Sequence, residues 1–200
     1  MARAAELIHV SAQYAIWRAY DSALRAELFS TAVRIESGLA IFDPIPLTAR
    51  ARAQLGQMGN ILAVFITNAN HARAATHFAS QDRIIAPAEL AAVFPEAQCL
   101  NHETRLHGLT AFCVDGAAPG ECALHDERDG GALILGDALI NFELHGVALL
   151  PARYCTDQKK MIRSLRRLLD LSFTQMFFAH GYPVIIAAHD RLAALLAEHA

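Results

Sequence analysis

Charge is scarce in this chain, at 18% of 200 residues, and the formal net charge is −3 with no run of Lys or Arg. Such a surface offers no electrostatic footprint for nucleic acid or an anionic membrane. The densest basic cluster, Arg163, Arg166 and Arg167, reads as the solvated face of a helix. Met1 to Val10 contains no apolar stretch of signal-peptide length, and no segment has the uninterrupted apolar length of a membrane span. A cytoplasmic protein without nucleic-acid or membrane partners is the expectation. Cysteine is sparse too: Cys99, Cys113, Cys122 and Cys155 form neither a C-x-x-C pair nor a zinc-finger spacing, so buried reduced thiols are expected rather than disulfides or metal ligands. No Gly-rich phosphate loop and no G-x-S-x-G elbow occur. His9, His77, His102, His107, His125, His145, His189 and His199 show no H-x-H or H-E-x-x-H spacing and read as surface or strand-end residues. Repeats, low-complexity stretches and linkers are missing as well.

What the chain has is apolar bulk. Hydrophobic residues make up 54%, which suits one domain over residues 1–200 with a substantial core and is compatible with a homo-oligomer. Leu28 to Asp43 holds two apolar runs broken at Ser37–Gly38, the pattern of a hairpin. Thr48 is placed to cap a helix with Leu47, Ala51, Leu55 and Met58 at helical spacing, ended by Gly56 and Gly59. The run Ile61–Ile66 lacks polar alternation and reads as a strand covered on both faces. A short helix through Ala74–Phe78, a brief strand at Ile84–Ile85 and a helix from Pro87 to about Phe94 follow. Leu109–Val114, Glu121–His125 and Ala132–Leu135 read as a meander separated by Gly-, Pro- and Asp-rich turns. Thr156 or Asp157 caps a helix carrying Met161, Ile162, Leu165, Leu168 and Leu169, followed by a strand at Met176–Phe178 and a last helix over Asp190–Glu198. Ala12 to Ala26 is helical in composition, and strand or loop remains an open alternative there.

Several segments, in order, resemble the metallo-β-lactamase fold. Leu39–Asp43 resembles its early strand ending in aspartate, and Thr67–Asn68–Ala69–Asn70–His71–Ala72–Arg73 stands where that family carries T-H-x-H-x-D-H. Gly116–Cys122 is similar to its G-H-T-P-G-S turn. Leu133–Asp137 resembles the strand presenting a bridging aspartate, and Phe177–Gly181 the strand presenting the last histidine. The resemblance implies an α/β fold, a four-layer αββα sandwich of two mixed β-sheets.

It also implies a depleted metal site. Asn68 and Asn70 occupy the first two histidine positions, Ala72 the aspartate position, Arg73 the final histidine position and Ala117 the histidine of the second turn; Asp137 and His180 match. Neutral amides are poor zinc donors, so no tight dinuclear centre is expected, and at most a single weakly held zinc or other divalent metal. Arg73 is expected to pair with Asp137 in place of a cation, with Asn68 or Asn70 satisfying His180; the alternative leaves Arg73 in solvent. His71 stands at a non-ligand position. It is expected to line the pocket, with the alternative of completing a two-histidine, one-carboxylate site with Asp137 and His180. Thr67, Glu121 and Tyr182 are expected around the same pocket, Glu121 as a hydrogen-bonding turn residue or an accessible carboxylate. The function implied is a non-catalytic binder of a small molecule or protein in the old cleft, or a single-metal hydrolase of esters, thioesters or phosphoesters.

Overall fold

The computed structural model describes residues 3–142 and 146–199, so the reading of His145 lies outside the described residues. The first sheet contains β1 (Ile8–His9), β2 (Tyr14–Asp21), β3 (Ala26–Ile35), β4 (Gly38–Phe42), β5 (Ile61–Phe65), β6 (Ile84–Ala86) and β7 (Gln98–Cys99), side by side in chain order. β1 to β4 pair antiparallel, and β4 to β7 pair parallel. The second sheet takes β8 (Arg105–Leu106), β9 (Leu109–Cys113), β10 (Cys122–Asp126) and β11 (Ala132–Leu135) as an antiparallel meander. The ribbon of β12 (Leu139–Phe142) and β13 (Gly146–Leu149) stands apart, and β14 (Gln175–Phe178) joins the second sheet parallel to β11.

Helices lie outside both sheets. α1 (Ala49–Met58) begins where the Thr48 hydroxyl accepts from the Ala51 amide at 3.3 Å, and it runs past Gly56 to Gly59. It packs Ala51, Leu55 and Met58 on the first sheet. α2 (Gln158–Arg167), capped by Asp157, and α3 (Ala188–Ala197) cover the second sheet with Met161, Leu165, Leu192 and Leu196. Between the sheets lies a third core, in which Phe42 stacks on Phe65 at 4.9 Å and Tyr14 on Phe177 at 4.7 Å. Helix, sheet, sheet and helix are thus the four layers, as the resemblance implies, with apolar side chains in all three gaps.

Within Ala12–Ala26, Tyr14–Asp21 is strand and 22–25 is the turn into β3. Tyr14 and Ile16 enter the core between the sheets, while Ala15 and Trp17 enter the one under α1. A strand buried on both faces loses the polar alternation that would have marked it. The helices read at Ala74–Phe78 and Pro87–Phe94 shrink to single 3-10 turns, Ala75–His77 and Ala88–Leu90.

Four strands that matter here, β4, β5, β11 and β14, are parallel within their sheets and end at one edge of the sandwich. Beyond their last residues stand Asp43, Thr67, Asp137 and His180. The Phe29 amide donates to the Ala179 carbonyl at 2.8 Å and ties the sheets together at that edge. Loops at the carboxyl ends of parallel strands are free to carry polar groups because the ladder beneath them is complete.

Candidate metal centre

The turn after β5 folds on itself. Asn68 Oδ1 accepts from the Asn70 amide at 2.9 Å and the Asn68 carbonyl from the His71 amide at 3.1 Å. This asparagine-capped turn swings Asn70 out to solvent and His71 inward. The expectation that Asn70 faces the site is therefore corrected, and His71 is the residue buried there, at 3% exposure.

His71 is held at both nitrogens. Its Nδ1 lies 2.9 Å from Asp43 Oδ2, and its Nε2 3.2 Å from Asp137 Oδ1. Asp43 is itself fixed by the Thr67 amide at 2.8 Å and the Thr67 hydroxyl at 2.6 Å. His180 repeats the pattern, with Nδ1 3.0 Å from the Glu27 carbonyl and Nε2 3.3 Å from the same Asp137 Oδ1. When Nδ1 of each ring donates outward, each Nε2 presents a lone pair toward one carboxylate oxygen. His71, Asp137 and His180 each offer a ligand atom within 4.8 Å of the others, the sole such group of His, Cys, Asp and Glu among the described residues. A tetrahedral ion with bonds of about 2.0–2.1 Å sets its donors roughly 3.3 Å apart, close to the two Nε2–Oδ1 separations. Histidine ligands with the far nitrogen tied to a carboxylate or carbonyl are the usual outer support of such a centre. The donor set therefore fits one divalent ion with three protein ligands.

No second group of three such donors stands beside it among the described residues. Asn68 is buried and spends its amide on Glu121 Oε2 at 2.7 Å and Asp137 Oδ2 at 3.1 Å, not on His180. Ala117 is fully buried, and Ala72 packs beside the core under α1. Arg73 does not pair with Asp137: its guanidinium donates to the carbonyls of Phe29 at 2.7 Å, Asp43 at 3.0 Å and Ala179 at 3.4 Å, with one nitrogen 3.5 Å from His180 Nε2. Its backbone sits at φ 36° and that of Asp43 at φ 46°, left-handed conformations costly for residues with a Cβ. Both are held by this ring of hydrogen bonds.

Glu121 is no accessible carboxylate. It is buried, and its other oxygen accepts from the Ala138 amide at 3.1 Å. Gly136 lets the chain pass here, since a Cβ would come within 2.5 Å of Thr67 Oγ1 and 2.7 Å of Glu121 Oε1. Tyr182 lies at the rim, edge-on to Phe29 at 5.1 Å and under the Arg18 guanidinium.

The electrostatics close without a metal. Burial and the Asp137 charge push Glu121 up to about 8. Burial and Arg73 work to lower His71, but Asp43 and Asp137 prevail and raise it to about 9. Burial opposes ionisation of Asp43 and Asp137 as well, yet the His71 charge holds both below the usual carboxylate range, with His180 adding to the effect on Asp137. Two carboxylates then face a protonated His71 and Arg73, and Glu121 is neutral. Metal binding at these ligands must release the His71 proton.

Asp43, Glu27 and Gly136 are the site residues that sequence reading left out. The aspartate at the end of an early strand was visible as a signal; a backbone carbonyl and a close glycine approach leave none.

The chain matches the family described as the metallo-beta-lactamase superfamily over residues 7–199. Among curated proteins no sequence matches it. Similar solved structures include DIM-1 metallo-beta-lactamase, with 14% identity over 99% of this chain and all of that one and a TM-score of 0.72. The metallo-beta-lactamase from Pontibacter korlensis shares 14% over 96% of this chain and 98% of its own, with a TM-score of 0.69. FIM-1 from Pseudomonas aeruginosa, solved in a mono-zinc form, shares 12% over 99% and 96%, with a TM-score of 0.70. At such identities the structural likeness speaks for the fold. With the family match spanning nearly the whole chain, the protein belongs to the metallo-β-lactamase superfamily.

Proposed function

We propose that the protein holds one divalent metal ion, zinc first among candidates, at His71, Asp137 and His180 and hydrolyses an ester, thioester or phosphoester. The observation that carries this reading is the pair of imidazole nitrogens 3.2 and 3.3 Å from a single Asp137 oxygen, each ring anchored behind. A bound divalent ion would supply a Lewis acid that lowers the pKa of water and polarises a carbonyl or phosphoryl oxygen. Asp43 and Thr67 set the direction of His71, and the Glu27 carbonyl that of His180. Asn68, its amide shared with Glu121, holds Asp137 in place. The mono-zinc form of the similar FIM-1 structure is consistent with one ion sufficing to occupy this fold.

A second reading, a metal-free binding protein for a small molecule or protein partner, is favoured by Arg73. Its permanent charge stands 3.5 Å from a would-be ligand atom, and it opposes a divalent ion. Metal content decides between them. Protein purified without chelator from zinc-supplemented cells should carry close to one equivalent of zinc, and Asp137→Ala and His71→Ala should abolish it. Cobalt substitution should give the intense visible absorption of a tetrahedral site. Folded wild-type protein with under a tenth of an equivalent, and no thermal shift on adding zinc or cobalt, would favour the binding role.

A further inference from the structure

A second reactive group lies outside this centre, across the β9–β10 ladder. Cys113 and Cys122 are direct cross-strand partners, with sulfurs 3.5 Å apart. The neighbouring pair is joined by the Val114 amide donating to the Glu121 carbonyl, whereas the Cys113 and Cys122 amides turn away to His102 Nδ1 and the Thr67 carbonyl. They therefore occupy a non-hydrogen-bonded pair, where Cα atoms stand only about 4.5 Å apart. That separation falls within the range a disulfide spans. Both residues line a cavity of about 400 Å³, shared with Glu89, Leu100, Glu121 and Lys160. Cys122 is buried and Cys113 half-buried.

We propose that Cys113 and Cys122 form a reversible intrachain disulfide through exchange with a low-molecular-weight disulfide admitted by this cavity. The Cys113 thiolate attacks one sulfur of the incoming disulfide, forming a mixed disulfide and expelling one thiolate. Cys122, giving up its proton, then attacks the Cys113 sulfur, closes the cross-strand bond and expels the second thiolate. Two protein thiols are oxidised, one disulfide is reduced to two thiols, and the two protons end on the leaving sulfurs. The order of attack follows from exposure. It also follows from the thiol–thiol contact: hydrogen bonding from Cys122 brings Cys113 down to about 7, against the effect of its own burial, while the same contact and burial push Cys122 up. At neutral pH the larger thiolate fraction, offset by lower intrinsic nucleophilicity, makes Cys113 about threefold faster than an ordinary thiol. In the structure all four cysteines are free thiols, as expected, although only Cys122 is buried.

The test uses glutathione disulfide and peptide mapping of the whole protein. Both cysteines fall on one tryptic fragment, residues 106–128, so the internal disulfide registers as loss of two hydrogens and resistance to alkylation. The pieces stay linked after further cleavage at Asp115, and dithiothreitol reverses the change. Cys122→Ala should instead accumulate a glutathione adduct on Cys113. The exposed Cys99 serves as an internal control. The proposal is overturned if fragment 106–128 stays fully alkylatable while Cys99 is modified, or if it ends as stable glutathione adducts without the internal bond. The wild-type map is decisive even where Cys122→Ala does not fold.

Discussion

Two aspartates lie at opposite ends of the second sheet, Asp126 as the last residue of β10 and Asp137 just past β11, and the fold treats them differently. Asp126 is closed on every side: Arg128 reaches its two oxygens at 2.8 and 2.6 Å, the Tyr14 hydroxyl donates at 2.8 Å and the Arg128 amide at 3.1 Å. Asp137 has an amide at 3.1 Å and two imidazoles at 3.2 and 3.3 Å, and no guanidinium or ammonium among its partners. The first has the short, charge-assisted geometry of a structural clamp. The second has longer contacts to two imidazole nitrogens, at the spacing of a coordination sphere once the His71 proton is released. Burial alone does not separate structural from functional carboxylates; the identity and distance of the partners does.

The largest effect should come from removing the support rather than the ligand. Asp43→Ala leaves the His71 charge and the Thr67 amide and hydroxyl without their buried carboxylate, while Arg73 keeps the backbone carbonyl, and should cost about 3–5 kcal/mol in urea unfolding. Asp126→Ala should cost less, about 2 kcal/mol, because the Arg128 side chain is 37% exposed and can turn to water. Equal losses would erase the distinction drawn between the two clusters.

Stability of chelator-treated protein should vary with pH in an unusual direction. The unfolded chain releases the Glu121 proton near 4.5, while the folded state keeps it to about 8, so this contribution is complete below 4.5 and lost as pH rises through 8. For His71 the stabilising proton is retained to about 9 against an unfolded value of 6.5, so its contribution is complete below 6.5 and lost through 9. Asp43 and Asp137 act oppositely, contributing above the ordinary carboxylate range and losing stability as pH falls through their depressed values. The apoprotein should therefore be most stable in mildly acid solution, declining on the order of 3 kcal/mol by pH 9. Glu121→Gln should flatten the part of that decline below pH 8; an unchanged profile would mean that Glu121 is ionised in the fold.

Zinc sharpens the same contrast. At a hundredfold excess over Kd, it should stabilise wild type and a folded Asp126→Ala by about 2.7 kcal/mol and leave Asp137→Ala unmoved, read as a thermal shift. Arg73→Met removes the cation beside His180 and should tighten zinc binding at least tenfold, about 1.4 kcal/mol, by calorimetry. Weaker binding would make Arg73 a support of the ligands rather than an opponent of the ion. The smallest effect belongs to Asn70→Ala. Its side chain is exposed, so zinc affinity should stay within about twofold and stability within about 0.5 kcal/mol.

Most strands were legible in the chain because apolar runs bounded by Gly, Pro and Asp report burial locally. The hairpin at Leu28–Asp43, the strand from Ile61 and the meander from Leu109 are of this kind. Tyr14–Asp21 was not, since its first four residues are buried on both faces and show no polar alternation. In the site, Asp137 and His180 were legible as strand-end residues, whereas the partners of Arg73 were not. Backbone carbonyls of Phe29, Asp43 and Ala179 carry no sequence mark.

By itself, the sequence determined which side chains are available as metal donors at these positions. Asn68, Ala72, Arg73 and Ala117 cannot become carboxylates or neutral imidazoles in any fold, because donor chemistry belongs to the side chain. Only the tertiary structure decided that His71 faces inward and Asn70 outward, that Asp43 reaches across from β4 to fix it, and that Cys113 meets Cys122. Direction within a turn depends on a few backbone dihedrals, and those are held by partners dozens of residues away. Proximity of that kind is a property of the packed sheets, not of the spacing along the chain.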